Sequence, residues 1–424
     1  MATTRVHLEY GTAGLEVELP AERTTVIEPL FLPSVPDEEA ALHRALREPI
    51  GSAPLRERVP RAARAAIVVC DITRPMPSAR VLPVLLDELS HLDPANVTIF
   101  VATGTHRPNS PQELNRMLGP DVARMYRVVN HDAFDRSAHC HLGATSSGGP
   151  IWIDREFLEH EVKILTGFIE PHFFAGFSGG PKMVAPGLAA LETTLHLHGA
   201  PMIRHPRATW GITEGNPIHD DVREISRLVK PDFTLDVTIN RARQITSVFA
   251  GELFAAHRAG CAFARQTAMC AVDRPFEVVI TTNSGYPLDL NLYQSVKGMS
   301  AAAQIVQPGG AIIAAAECSD GLPDHGNYKD ILKMGDSPEA LLELINGPDF
   351  RMHDQWEVQV QAQIQQKARV HLKTSGLSEP QVRAAHLEPI GDVAAAAERL
   401  LVEYGPQARL AVLPQGPQTI PYLA

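Results

Sequence analysis

The densest run of reactive side chains lies between Gly167 and His198. From Gly167 to Lys182 it reads G-F-I-E-P-H-F-F-A-G-F-S-G-G-P-K, and it closes on His196-Leu197-His198. Glycine pairs such as Gly179-Gly180 let backbone N–H groups approach an anion, and the turn Ser178-Gly179-Gly180 is expected to open a helix whose N-terminus favours phosphate. Lys182 could supply a counter-charge or a nucleophilic amine. The spacing is not G-x-x-x-x-G-K-[ST], so this is not a P-loop. His172 is a candidate acid/base, because histidine titrates near neutrality. His196 and His198 are both candidates for a metal. If the pair sits on a strand, both rings face the same way, and spacing favours His198.

Three further clusters carry similar chemistry: D-I-T-R-P at 71–75, T-G-T-H-R at 103–107 and Y-Q-S-V-K-G at 293–298. Arg74 can grip a carboxylate with its planar fork, and Gln294 and Lys297, three apart, share one face of a helix's first turn. Each has an ordinary reading as well. A lysine behind a glycine turn is usually solvated, a loop histidine is usually satisfied by its neighbours, and Gln294 and Lys297 could simply face water. What lifts His106 and His172 above that background is that both sit at strand ends beside glycine turns. His139-Cys140-His141 has the residue types of a metal site but no third ligand nearby in sequence, and is read as structural or solvent-facing.

The elements that must position these residues follow from periodicity. Ala65–Cys70, Val97–Ala102 and Val162–Thr166 are short apolar runs expected to be buried strands. Ser78–Leu92 has helical spacing, and Ser110 to Glu113 is a capping box with Pro111 at the first helical position and Gly119 as the stop. Alternating strands and helices predict an α/β fold with mainly parallel sheets, whose ligands bind beyond the carboxyl ends of the strands. Asp71, Thr103 and Gly167 all fall there. Farther on, 216–229 and 252–269 are expected helices and 233–239 and 244–249 expected strands. Composition shifts at Cys270–Pro275, where a second α/β unit begins: strand 276–282, helix 294–306, strand 311–316, helices 337–345, 355–367 and 393–403, and strand 409–413. Residues 5–20 alternate like a hairpin. The expected division is residues 1–270 and 271–409.

Taken in order, P-H-F-F-A-G-F-S-G-G-P-K with a histidine sixteen residues after the lysine, the three polar clusters, and the tail Leu413-Pro414-Gln415-Gly416-Pro417 resemble the lactate racemase family, the nickel-pincer-nucleotide 2-hydroxyacid racemases and epimerases. The resemblance runs from about residue 70 to the C-terminus. It is specific for a family and not for a substrate. It implies a pyridinium-derived mononucleotide with two sulfur arms, joined as a thioamide to Lys182, its nickel held by sulfur, carbon, sulfur and His198. That donor set suits square-planar Ni(II). It implies His106 and His172 as the acid/base pair, one on each face of C2, with hydride passing to the cofactor and back through a 2-keto acid. Arg74, Gln294 and Lys297 would contact the substrate carboxylate. Asp71, Thr73 and the Ser178–Gly180 turn would hold ribose and phosphate. Trp356 would approach from the second unit, unless it is a core tryptophan. The family also implies two α/β domains with the site in the cleft between them, a C-terminal tail (410–424) that returns to the first domain, and cofactor-building enzymes as maturation partners.

Bulk properties narrow the partners. A net charge of −11 over 424 residues argues against nucleic acid, though a local cationic pocket can still take a small anion. The five cysteines form no C-x-x-C, so neither a disulfide framework nor a cysteine-rich zinc site is expected and a reducing cytoplasm fits. No run reaches the ~20 apolar residues of a membrane span. Two rival readings stand beside the racemase: a zinc hydrolase using His172, His196 and His198, which needs an acidic or water-activating partner nearby, and a non-catalytic nucleotide-binding regulatory module.

Overall fold

The structure, a computed structural model, describes residues 2–323 and 326–424. Among them, two six-stranded sheets carry the chain. The first runs Ile245–Gly251, Phe233–Ile239, Val162–Phe168, Ala65–Cys70, Val97–Ala102, Arg127–Asn130. All its pairs are parallel except that made by the edge strand Ile245–Gly251. The second runs Glu388–Ile390, Ala368–Lys373, Val306–Ala315, Phe276–Thr282, Leu410–Leu413, Thr24–Val26, and is parallel throughout. This is the α/β architecture the alternation implied.

The central strands are apolar on both faces because helices cover both, as a parallel sheet requires. Every residue of Ala65–Cys70 is buried, and each large side chain hidden there contributes about 1.5–3 kcal/mol. Register then places the loops. Cys70 lies opposite Ala102, and Val68 opposite Leu165. The chain therefore leaves these three strands on one edge, at Asp71, Thr103 and Ile169.

Both ends of the chain lie across the expected division. The hairpin of Thr3–Leu8 with Leu15–Pro20 packs on the second sheet, where Val6, Leu8, Val17 and Leu19 share a core with Val278, Ile280 and Leu400. Its apolar alternation covers a face that helix Val393–Glu403 alone leaves open. A strap then crosses to the first unit: the N–H groups of Ile27, Leu30 and Val35 donate in turn to Val412, Thr267 and Ile245 carbonyls. The tail touches both units, with Ile420 beside Gly211 of the first. Leu410–Leu413 lies inside the second, and Ile420–Leu423 pairs with Met269–Val272 at the junction. We place that junction within Cys270–Pro275.

Candidate active site

The carboxyl ends of both sheets face a cleft enclosing about 940 Å³ of empty space, open mouth included. From the first unit it receives Asp71, Arg74, His106, His172, Ser178, Gly179, Lys182 and His198; from the second, Tyr293, Gln294, Lys297, Trp356 and Glu357. Of the expected site residues, only Thr73 and Gly180 are not in its wall.

The loop after Cys70 is built around Asp71. Its Oδ1 accepts from the Thr73 hydroxyl (2.6 Å) and N–H (3.2 Å), while its Oδ2 lies 2.6 Å from His106 Nδ1. Burial alone would raise this carboxyl. The His106 charge and hydrogen bond, then Arg74 and Thr73, outweigh it and hold Asp71 below its usual range. Asp71 and Thr73 are thus occupied with each other, with His106 and with Arg74, whose Nη1 donates to the Thr73 hydroxyl at 2.9 Å. We read Asp71 as the group that orients His106, leaving Nε2 to the cleft, rather than as a ribose contact.

The glycine turn also has another cause than the one expected. Gly180 N–H donates to Asp236 Oδ1 at 2.9 Å, and a Cβ on Gly180, at φ 50°, would stand 2.5 Å from the His257 ring. On Gly179, at φ 74°, a Cβ would stand 2.8 Å from that same Asp236 oxygen. Asp236 is fully buried and pushed up to about 6 by that burial. His257, neutral because burial lowers it to about 4, hydrogen-bonds the Ser178 carbonyl at 2.9 Å. The Ser178 hydroxyl itself donates to Phe168 carbonyl (2.6 Å) and accepts from Glu170 N–H (3.0 Å). So the turn opens only a four-residue 3₁₀ stretch, Gly180–Met183, and its donors brace the loop. The glycines permit close packing behind Lys182, and Ser178 and Gly179 still line the cleft. Asp236 and His257 are the functional residues that sequence reasoning missed here, since nothing local ties them to the turn.

Lys182 projects from that stretch into the cleft. Among the described residues its ammonium has no hydrogen-bond or ion-pair partner, only the Phe174 ring at 5.7 Å. Burial, then the charges of Arg74 and Lys297, pull it down to about 7. His172 is driven well below its ordinary value by the same burial and by Lys182, Lys297 and Arg74. Its ring stacks on Phe173 at 5.0 Å, and its Nδ1 takes only long contacts from Ala175 N–H (3.3 Å) and Phe174 N–H (3.5 Å). His198 is lowered to about 3 by burial and Lys182, and its buried Nδ1 has no partner.

His196 and His198 do not share a strand. Leu191–Leu197 is a helix that His198 caps, and residues two apart on a helix point to different sides. His196 turns to Ser147 (2.8 Å) and Asp221 (3.1 Å), away from the cleft. The proposed zinc triad therefore does not form. Among the described residues, the one His/Cys/Asp/Glu group close enough to hold an ion is His43, Asp87 and Glu88, outside this site. His139 lies on a hairpin with its Nδ1 toward the Asp135 carbonyl, as a structural residue would.

The second unit presents two helices. Leu292–Ala303, capped by Asn291, puts Gln294 and Lys297 together: Lys297 Nζ donates to Gln294 Oε1 at 2.6 Å. Gln355–Lys367 brings Trp356 to 4.8 Å from the His198 ring, its Nε1 donating to Tyr293 hydroxyl at 2.9 Å. Trp356 is both buried and part of the site wall. Glu357 was missed because it reads as one more polar residue on a helix; in the fold it is buried, and burial raises it to about 8, opposed by Lys297.

Lys182, His198, His106, His172, Arg74 and Lys297 thus meet in one cleft. Comparison with known proteins gives the class. The lactate racemase N-terminal domain matches residues 10–211, and the lactate racemase C-terminal domain matches residues 272–420. The lactate racemase of Thermoanaerobacterium thermosaccharolyticum is 35% identical over 420 residues, 98% of either chain. That of Lactiplantibacillus plantarum is 36% identical over 383, covering 89% of this chain and 90% of its own. The apoprotein structure of the T. thermosaccharolyticum lactate racemase superposes with a TM-score of 0.91 at 34% identity, covering 99% of this chain and 100% of that one. A Thermotoga maritima protein at 20% identity and TM-score 0.72 shares the fold. The chain belongs to the lactate racemase family and is an isomerase, which sets aside the non-catalytic module. Among the described residues no helix is long and apolar enough to cross a membrane.

Two outcomes test this geometry. Because Gly180 holds φ 50° with the His257 ring behind it, Gly180→Ala lowers the stability of the apo protein by about 1–3 kcal/mol in urea melts; an unchanged apo stability contradicts this crowding. And because the free amine is the nucleophile, acylation of Lys182 in apo protein should rise with pH to a plateau with a midpoint near 7, against ~10.4 for an ordinary lysine. Site-resolved mass spectrometry reads it, and a midpoint above 9 contradicts the buried, partnerless amine.

Proposed function

We propose that this chain inverts C2 of a small 2-hydroxyacid, lactate or a larger relative such as a sugar acid or dicarboxylic hydroxyacid, with a nickel-pincer nucleotide joined to Lys182. The observation that carries the reading is the meeting, in one cleft, of the partnerless Lys182 amine and the unpartnered His198 imidazole with His106, His172 and Arg74. The residues fit the group. Lys182 is uncharged enough near neutrality to form an amide-type bond, and neutral His198 offers a lone pair. Cys70, pushed up to about 12 by burial, supplies no thiolate, so further donors to nickel must arrive with the nucleotide itself. When bound, that nucleotide supplies a reversible acceptor for the hydride of C2.

The chain's own residues do the rest. Arg74, held beside Glu170 at 4.0 Å, and Lys297, held by Gln294, give the substrate carboxylate two cations in a buried setting. That anchoring fixes which faces of C2 meet the protein. His106 takes the hydroxyl proton at Nε2, and the Asp71 carboxylate behind Nδ1 stabilises the imidazolium that results. His172 serves the opposite face. It is neutral as found, because three cations and burial disfavour its charged form, so it begins as a base. Phe173, Phe174 and Trp356 keep water from the reacting centre. Loading depends on the enzymes that build the nucleotide, and protein made without them is apo.

Holo protein should carry one covalent adduct and one nickel, both lost in Lys182→Ala; intact mass with metal analysis decides, and an adduct on Lys163 or Lys297 refutes the assignment. Arg74→Lys keeps the charge but loses the fork, so kcat/KM should fall about ten- to a hundredfold, the worth of one charged hydrogen bond; an unchanged value removes Arg74 from the carboxylate site. His106→Ala and His172→Ala should each lose net turnover in both directions. With each pure isomer, the cofactor's absorbance should change for one isomer in one variant and for the other isomer in the other, the unresponsive pairings slowed by about 10²–10⁴. If both variants respond to the same isomer, the two-faced assignment is wrong.

A further inference from the structure

Glu357 is the charged side chain in the cleft wall left without a task. It is 1% exposed, and its Oε1 has no hydrogen-bond partner among the described residues. None of its neighbours among the described residues bonds that oxygen, and two of them bond elsewhere. Lys297 Nζ donates to Gln294 Oε1, and Trp356 Nε1 to Tyr293 hydroxyl. A buried carboxyl oxygen left unpaired is costly, and a ligand group that pairs with it removes the cost.

The substrate's groups can be assigned around it. The carboxylate belongs to Arg74 and Lys297, and the C2 hydroxyl to His106 and His172. What remains is the chain from C3 onward. The methyl of lactate offers Glu357 nothing to bond. A second carboxylate, as in a dicarboxylic hydroxyacid, only accepts, and it repels Glu357 whenever that carboxyl is ionised. A hydroxyl both donates and accepts, so it suits the carboxyl in either protonation state. We propose that Glu357 is a specificity-determining residue that hydrogen-bonds a hydroxyl at C3 or beyond, so that this site takes 2,3-dihydroxy acids and longer sugar acids ahead of lactate. The proposal rests on the racemase reading above. A site built to bond a hydroxyl rejects the analogue lacking it far more strongly than an apolar pocket rejects an added one.

The test measures kcat/KM for single enantiomers of glycerate, lactate and malate in nickel-loaded wild type, Glu357→Gln and Glu357→Met. The wild type should favour glycerate over lactate by at least about tenfold, and over malate as well. In Glu357→Met the glycerate-to-lactate ratio should fall by about ten- to a hundredfold, while Glu357→Gln, which keeps a donor and an acceptor, should retain most of it. An equal ratio in wild type and Glu357→Met overturns the proposal. So does a parallel loss of both substrates in both variants, which is how a carboxyl that only balances Lys297 would behave. If loaded wild type turns over neither these three nor a longer sugar acid such as gluconate, the racemase reading itself fails. The selector is then judged on apo protein by thermal shift at equal ligand concentrations: an excess shift with glycerate over lactate that Glu357→Met abolishes upholds it, and no excess sinks it.

Discussion

The constraint on which the cleft depends is the crowding of three cations, Arg74, Lys182 and Lys297, into a space largely closed to water. Two unit charges 4 Å apart interact by about 4 kcal/mol at an effective dielectric of 20, so the three cannot all be charged and buried without compensation. The protein meets this in three ways. Glu170 stands 4.0 Å from Arg74. Glu357 opposes Lys297 across the second unit's wall. Lys182, bonded to no acid among the described residues, is pulled down to about 7 and holds its proton only weakly near neutrality. One arrangement thus both concentrates cations and eases the charge of one amine. The same cations hold His172 neutral, which a base must be before it can accept a proton.

Much of this arrangement was legible in the chain. The apolar runs Ala65–Cys70, Val97–Ala102 and Val162–Phe168 have only one way to be buried, and register then lines up their exits. Local chemistry foretold local structure: the capping box at Ser110, the stop at Gly119 and helix Gln355–Lys367 stand where spacing placed them. Local signals said less where the cause was distant. The crowding of the glycines at 179 and 180 comes from Asp236 and His257, more than fifty residues away. His196-Leu197-His198 looked like alternation on a strand, but two residues cannot distinguish a strand from a helix end. Residues 3–26 precede the first unit in sequence and pack on the second, because a hairpin's alternation says which face is apolar and not which sheet will cover it. Glu357 carried no signal at all, since a glutamate on a helix becomes unusual only when tertiary packing buries it.

The two units also divide the work. Groups that would hold the nucleotide, and the two histidines proposed to move protons, come from the first unit's strand-end loops, braced from behind by Asp71, Asp236 and His257. The second unit would add substrate contacts from two helices, with Tyr293 and Trp356 bonded to each other into a single wall against His198. Lys182 sits on a turn whose glycines admit no side chain, so a change there disturbs the loop before it changes any specificity. Helix Gln355–Lys367 has no such restriction at Glu357. On the reading proposed above, a substitution at that position would alter what the cleft offers to the far end of a substrate and leave the strand-end loops untouched. Chemistry and substrate choice would then reside on separate elements joined by a strap and a parallel tail pair.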